Sequence, residues 1–356
     1  MKPNPAQEKI SVPEIAACLV EIEKFLGIDP TNNLSPLFPF KVACDVHEQQ
    51  RLHGFVGLEA LYEIPVFREC VMFIAAAMDL VRYFRAARHN SELKKLRPHF
   101  ALVSDGFFGI AGTYGIQMSQ GSLLRQRLGE HGITPPSDAV AKDATRKTIE
   151  LMLAMAALNT FEGIEVEDPK ASDPSNPNPD LIIRSGDRRY GIACKSITSL
   201  HEETFKENVV KGVTQIERSI LAGKVDSRCG VVLIDVSAIL EHERLYVPEP
   251  GHCWSYEGAG EVLTSVVTEA LLKIFGHDPA RSFHDILGPI FKGHDLPPGV
   301  LIYAHGLLIC EKEGTVSPVY QKALRLGFGG DTSVLGRFNE SLNRALHCQV
   351  PDAAGL

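Results

Sequence analysis

The chain has no uninterrupted apolar stretch of the roughly 18 to 20 residues that a bilayer crossing needs, and its opening, MKPNPAQEKI, has no apolar block of a secretory signal. No membrane partner is expected, and a cytoplasmic location is. There is no CxxC pair. The eight cysteines (18, 44, 70, 194, 229, 253, 310, 348) lie far apart, several inside apolar runs where a reduced thiol behaves as a small hydrophobe. A structural zinc site and a disulfide framework are therefore not expected. Excess positive charge is missing too: the net charge is −8, which argues against a general polyanion binder but not against a locally basic groove. No internal repeat is visible, and no GxSxG elbow or persuasive cysteine nucleophile occurs.

What is present is 356 residues with 44% apolar and 22% charged content, enough for a full core and a second domain or large insertions. Residues 1–135 read as an α-rich N-terminal region. Periodic segments lie near Val12 to Phe25, Val66 to Arg88 and Gly121 to Glu130, separated by breaks such as DPTNNLSPLFPF. The glycine-rich GFFGIAGTYG, from Gly106 to Gly115, lacks the Lys-Ser/Thr of a phosphate loop and reads as a flexible or tightly packed turn. Arg82, Arg85 and Arg88, followed by Lys94, Lys95 and Arg97, form either a basic strip for phosphates or a solvated helix end that complements the helix dipole.

Pro135 and Pro136 stop the preceding segment, and Ser137 or Asp138 can cap a new helix, so a second region is placed at 136–350. Its elements read as a helix over about 139–158, strands at Ile164–Glu167, Asp180–Arg184 and Tyr190–Ser196, and a helix over about 203–222. A strand at Gly230–Val236, a helix at Glu261–Phe275 and two further strands, GVLIYA and GLLICEK, complete the list. In the second helix Phe205, Val209, Val213, Ile216 and Ile220 step by three or four and mark one buried face. CGVVLIDV is apolar throughout, as in a sheet covered on both sides.

Three charged residues stand out. The turn Ser185-Gly186-Asp187 joins two short strands, so Asp180 at the start of the first and Lys195 at the end of the second can approach across the hairpin. Glu150 is the one charge in ELMLAMAALNTF, on a helix apolar on nearly every side, and a buried carboxylate is costly unless a cation meets it. Each also has a plainer reading. Asp180 after Pro179 can simply end a loop, Lys195 can guard a sheet edge, and Glu150 can pair with Arg146 four residues back. Among the histidines, His277 and His294 sit in Gly-His-Asp triplets that read as turns.

The order of helix with Glu, strand, Pro-Asp, hairpin, apolar strand ending in Lys, and amphipathic helix resembles the catalytic core of the PD-(D/E)xK nuclease superfamily. The match runs from Asp138 to about Val236. The resemblance implies a restriction-endonuclease-like α/β fold, a mixed sheet flanked by helices, here with an α-rich N-terminal domain. It also implies hydrolysis of nucleic acid, DNA ahead of RNA, with Mg²⁺ or Mn²⁺ as cofactor. By the same resemblance Asp180 binds the metal, Lys195 holds or activates the attacking water, and Glu150 supports a metal ligand or water. Gln215 is similar to the helix glutamine of some exonuclease-like members and is a candidate for contact with the substrate. One position departs: two before the lysine, where the superfamily carries Glu or Asp, stands Ala193. Glu150, or Glu203 or Glu207 from the following helix, could supply the missing acid, with Glu150 favoured because the other two sit among solvent-facing residues. The expected function is a metal-dependent nuclease, by analogy in restriction or defence against foreign DNA, with the N-terminal region selecting substrate, partner or homo-oligomer. The alternatives are a decayed nuclease fold that binds nucleic acid or assembles without cutting, and an unrelated α/β enzyme acting on a small metabolite.

Overall fold

A computed structural model describes residues 10–52, 65–113, 121–167, 179–246, 252–276, 283–328 and 334–347. Helix α1 (Val12–Leu26) starts where Ser11 and Glu14 form a capping box, and buries Ile15, Cys18, Leu19 and Ile22 as one stripe. Next come α2 (Phe38–Leu52), α3 (Arg68–Ala87), α4 (Arg97–Phe100), α5 (Val103–Thr113) and α6 (Leu123–Glu130). α3 is buried continuously from Glu69 to Ala77 and packs against α1, α2 and α6, so it is the centre of the helical layer. No described helix is long and apolar enough to cross a membrane.

The stretch from Gly106, expected as a turn, is the body of α5 as far as Thr113; Tyr114 and Gly115 lie outside the described residues. Packing overrides the poor helix propensity of glycine here. A Cβ at Gly106 would stand 1.8 Å from Thr148 Oγ1, and one at Gly109 would stand 2.4 Å from the Ala141 carbonyl oxygen. Both glycines thus let α5 lie directly on α7 (Asp138–Ala157). Several of the basic residues nearby have partners within the protein. Arg82 is 3.6 Å from Asp79, Lys95 is 2.6 Å from Glu92, and Arg97 donates to the Phe25 carbonyl at 2.7 Å.

After α7 come β1 (Gly163–Val166), β2 (Leu181–Ser185), β3 (Arg188–Ser196), α8 (Glu202–Leu221), β4 (Gly230–Asp235) and α9 (His242–Tyr246). β5 (Trp254–Ser255), α10 (Ala259–Phe275), α11 (Phe283–Phe291), β6 (Val300–Lys312), β7 (Thr315–Phe328) and α12 (Val334–Leu346) complete the chain. The strands form one mixed seven-stranded sheet in the order β1-β2-β3-β4-β6-β5, with β7 also paired to β6. The β1-β2-β3 meander is antiparallel, and β3, β4 and β6 run parallel.

GVLIYA and GLLICEK, read from the sequence as two strands, are a single strand, β6. β7 pairs with it from Lys312–Thr315 to Val300–Phe328, and a ladder of that length carries the strand straight through Gly306. The protein is thus mixed α/β. Alternation along β3 and β4 divides the interior into two cores. Ile192, Cys194, Val231 and Leu233 face the helical layer, while Ala193, Val232 and Ile234 face α8.

Candidate functional site

A two-residue turn sets the site's register. Ser185 stands opposite Arg188 and Leu181 opposite Ile192, so the next step places Asp180 opposite Ala193, with Lys195 two residues further on the same face. Lys195 Nζ is 3.6 Å from Asp180 Oδ2 and donates to Gln215 Oε1, on α8, at 2.6 Å. Asp180 is only 2% exposed. Its Oδ2 accepts the Cys194 amide at 2.7 Å, and its carbonyl accepts the Glu167 amide at 3.1 Å. The structure therefore brings Asp180, Lys195 and Gln215 together at one end of the hairpin.

Glu150 joins them only through an intermediary. Its carboxylate is fully buried, and Lys147, three residues earlier on α7, donates to its Oε2 at 2.9 Å. The same ammonium reaches Glu167 Oε2 at 3.3 Å. Arg146, the partner expected from the sequence, is the looser one, with Nε 3.5 Å from Oε1. That Oε1 is buried and accepts no hydrogen bond among the described residues. His99 Nε2 stands 3.8 Å from Oε2, and both His99 ring nitrogens are buried without a hydrogen-bond partner among the described residues. Glu203 is exposed, and Glu207 lies 3.9 Å from Lys211 on the outer side of α8.

The electrostatics follow from this placement. Burial by itself lowers the Lys147 pKa, but Glu150, with Asp180 and Glu167 adding to it, outweighs burial, and the net shift is upward. The Lys147 ammonium is therefore fixed in its charged form. Burial, reinforced by Asp180 and Glu150, pushes the Cys194 thiol well above its usual value, so this cysteine is not a thiolate nucleophile.

Glu167 and Lys147 were both missed by sequence reasoning. Glu167 carried a signal: it follows the apolar β1 and, by register, falls in line with Asp180 across the meander. Ala193 occupies the third position of that row. It is fully buried against the α8 core, and the acid of that row stands on the other side of Asp180, at Glu167. Lys147 carried a weaker signal, since it stands three residues before Glu150 and Arg146 stands four before it, and helical spacing alone does not choose between the two.

Among the described residues no three His, Cys, Asp or Glu side chains converge on one point. His294 pairs with Glu217 at 3.0 Å, and His277 lies outside the described residues. A second buried polar group, in which Ser237 Oγ donates to Asp235 Oδ1 at 2.5 Å and lies 3.0 Å from His305 Nδ1, ties the end of β4 to β6. Ser237 is 1% exposed, and its hydroxyl is committed to the acid rather than to a histidine base, so it is not arranged as a nucleophile. No family model, curated protein or solved structure matches the chain.

Proposed function

We propose that the chain is a metal-dependent nuclease with a restriction-endonuclease-like core, hydrolysing DNA phosphodiester bonds at the Asp180–Lys195–Gln215 cluster. The observation that carries this reading is the Lys195 ammonium, held between Asp180, which the hairpin register brings to its face, and Gln215, which α8 supplies. The Lys195 side chain is 15% exposed and Gln215 is partly exposed, so the lysine reaches solvent while Asp180 does not. There its charge offsets the negative charge that grows on a phosphate under attack. Gln215 accepts one of the three ammonium protons and fixes the direction of the others.

The acids suit a hard divalent cation. Asp180 would be the direct oxygen ligand, with Glu150 and Glu167 joined to each other through the Lys147 ammonium, and Glu150 Oε1 is a buried oxygen that accepts no hydrogen bond among the described residues. One or two carboxylates with waters and substrate phosphate suffice for Mg²⁺ or Mn²⁺. Such an ion lowers the pKa of a bound water and neutralises phosphate charge. Restriction or defence against foreign DNA is the setting that the resemblance favours.

One observation favours a second reading, a decayed nuclease fold that binds nucleic acid without cutting. The Lys147 ammonium already lies between Glu150 and Glu167, so the protein supplies an internal cation for those acids. Supercoiled plasmid incubated with wild type, Asp180→Asn and Lys195→Met, each with Mn²⁺ and with EDTA, separates the two. The nuclease reading expects Mn²⁺-dependent nicking by wild type and a loss of roughly 100-fold or more in each variant. Equal nicking by all three proteins overturns it. No nicking at all, with DNA retention that falls steeply as salt rises, supports the decayed fold.

A further inference from the structure

Away from the acid–lysine cluster, a cleft of about 400 Å³ opens between α3, the start of α10, the far end of the β6–β7 hairpin and the end of α12. Its volume falls within the roughly 300 to 1,000 Å³ of small-molecule sites. None of Glu150, Asp180, Lys195 or Gln215 lines it.

The cleft is charged in a way the chain as a whole is not. On its inner wall Lys322, 4% exposed, is ion-paired with Asp79, and its ammonium lies 5.0 Å from the Tyr320 ring centre. Asp79 is shared, because Arg82 also stands 3.6 Å from it. Two cations thus meet one acid. Across the cleft Lys312 lies 4.9 Å over the Tyr256 ring and makes no ion pair among the described residues. Glu257, exposed on the rim, is the other acid of the lining. His347 adds no charge at neutral pH, since burial, with Lys322 and Arg325 assisting, lowers its pKa to about 4. Arg82, Lys312 and Lys322 against Asp79 and Glu257 leave one positive charge in surplus, in a chain whose net charge is −8.

The walls add shape to the charge. The first turn of α10 enters the lining at Gly260, so the amide end of a 17-residue helix meets the cleft, with Glu261 of the same turn outside the lining and offsetting part of its positive end. Tyr256, partly exposed, contributes aromatic surface, whereas Tyr320 is 5% exposed and already faced by Lys322 and His305.

We propose that this cleft binds an organic phosphate of nucleotide size, with the phosphate between Lys312, Arg82 and the first turn of α10 and a planar ring against Tyr256. A phosphate takes up the surplus charge and uses both the cations and the helix terminus. The Tyr256 ring gives a reason for an organic rather than an inorganic anion.

Calorimetric titration of the full chain with AMP, GMP, CMP, UMP, adenosine and inorganic phosphate, against wild type and Lys312→Ala, tests this. Lys312 is partly exposed at the rim, so its truncation leaves the fold intact, which equal melting temperatures verify. The proposal expects at least one mononucleotide to bind wild type saturably with Kd below about 1 mM. It expects binding to weaken about tenfold or more in Lys312→Ala, and adenosine and inorganic phosphate to bind at least about tenfold more weakly than that nucleotide. Absence of saturable binding for all four nucleotides overturns it. So does an unchanged Kd in Lys312→Ala, or inorganic phosphate binding as tightly as the best nucleotide. Lys312 takes no part in the Asp180 cluster, so this test and the plasmid assay fail independently.

Discussion

Replacing Lys147 by Met removes one charge from the centre of the acid cluster and keeps most of the side-chain volume. In wild type its ammonium lies 2.9 Å from Glu150 Oε2 and 3.3 Å from Glu167 Oε2. At an effective dielectric constant of about 20 the first contact alone is a gross attraction of about 6 kcal/mol, most of it offset by the cost of burying both charges. Removing one partner of a buried pair leaves that burial cost uncompensated, which is why such substitutions lose about 3 to 5 kcal/mol. Arg146 Nε, 3.5 Å from Glu150 Oε1 and partly exposed, retains some compensation, so the low end, about 3 kcal/mol, is expected at pH 7.

The pH dependence identifies the cause. A carboxyl buried without its cation has a folded-state pKa above the unfolded value. The variant's deficit is therefore largest at neutral pH and shrinks as pH falls and Glu150 takes up a proton. Urea unfolding of wild type and Lys147→Met at pH 7 and pH 5 reads this directly, and Lys147→Met/Glu150→Leu, with both charges gone, should recover most of the loss. A single variant within about 1 kcal/mol of wild type at pH 7, or a deficit that does not narrow at pH 5, refutes the assignment of Lys147 as the compensating cation.

Two other outcomes rest on burial and packing. His242 and His347 have pKa values lowered by burial from 6.5 to about 4, so the unfolded chain takes up protons that the native state refuses as pH falls from about 6.5 towards 4. Their contribution is complete above pH 6.5 and declines below it, by about 2 kcal/mol for each histidine at pH 5. Asp235, whose carboxyl burial raises, opposes the trend, so the check is urea midpoints at the two pH values for wild type and His347→Gln, with a smaller drop in the variant. Gly106→Ala places a methyl group 1.8 Å from Thr148 Oγ1, and overpacking of about 1 to 3 kcal/mol exceeds any gain in helix propensity. Thermal unfolding should therefore show a lower Tm, and a raised Tm would mean that α5 and α7 do not cross this closely.

Much of the α/β region was legible because its signals are local. The three- and four-residue stripe of α8, the all-apolar run of β4 and the short turn after β2 each arise from a period or a turn that a few neighbouring residues set. The misreadings fall where tertiary pairing overrides such signals. Gly306 reads as a break until β7 lies alongside it. β7 itself, TVSPVYQKALRLGF, carries a proline and two charges that hide its strand character, and no sequence expectation covered β7 or α12. The glycines of α5 read as a turn until α7 is seen to fill the space they leave.

The candidate site divides along the same line. That Glu150 needs a cation is evident from the apolar helix around it, but which cation meets it depends on where β1 ends relative to α7. Lys147 reaches two acids because Glu167, one residue past β1, is brought within its range. On the proposed nuclease reading, that geometry makes the choice between cutting and mere binding an energetic one. The ammonium is already positioned and carries one charge. A hydrated Mg²⁺ or Mn²⁺ carries two but must displace or redirect it and must shed water to touch the carboxylates. On the same reading, substrate phosphate would tilt the balance towards the metal, since it would add oxygen ligands and negative charge that Lys147 alone does not neutralise. If this is the operative competition, divalent cation binds weakly to the free protein and more tightly once DNA is present, and the coupling must be equal in both directions.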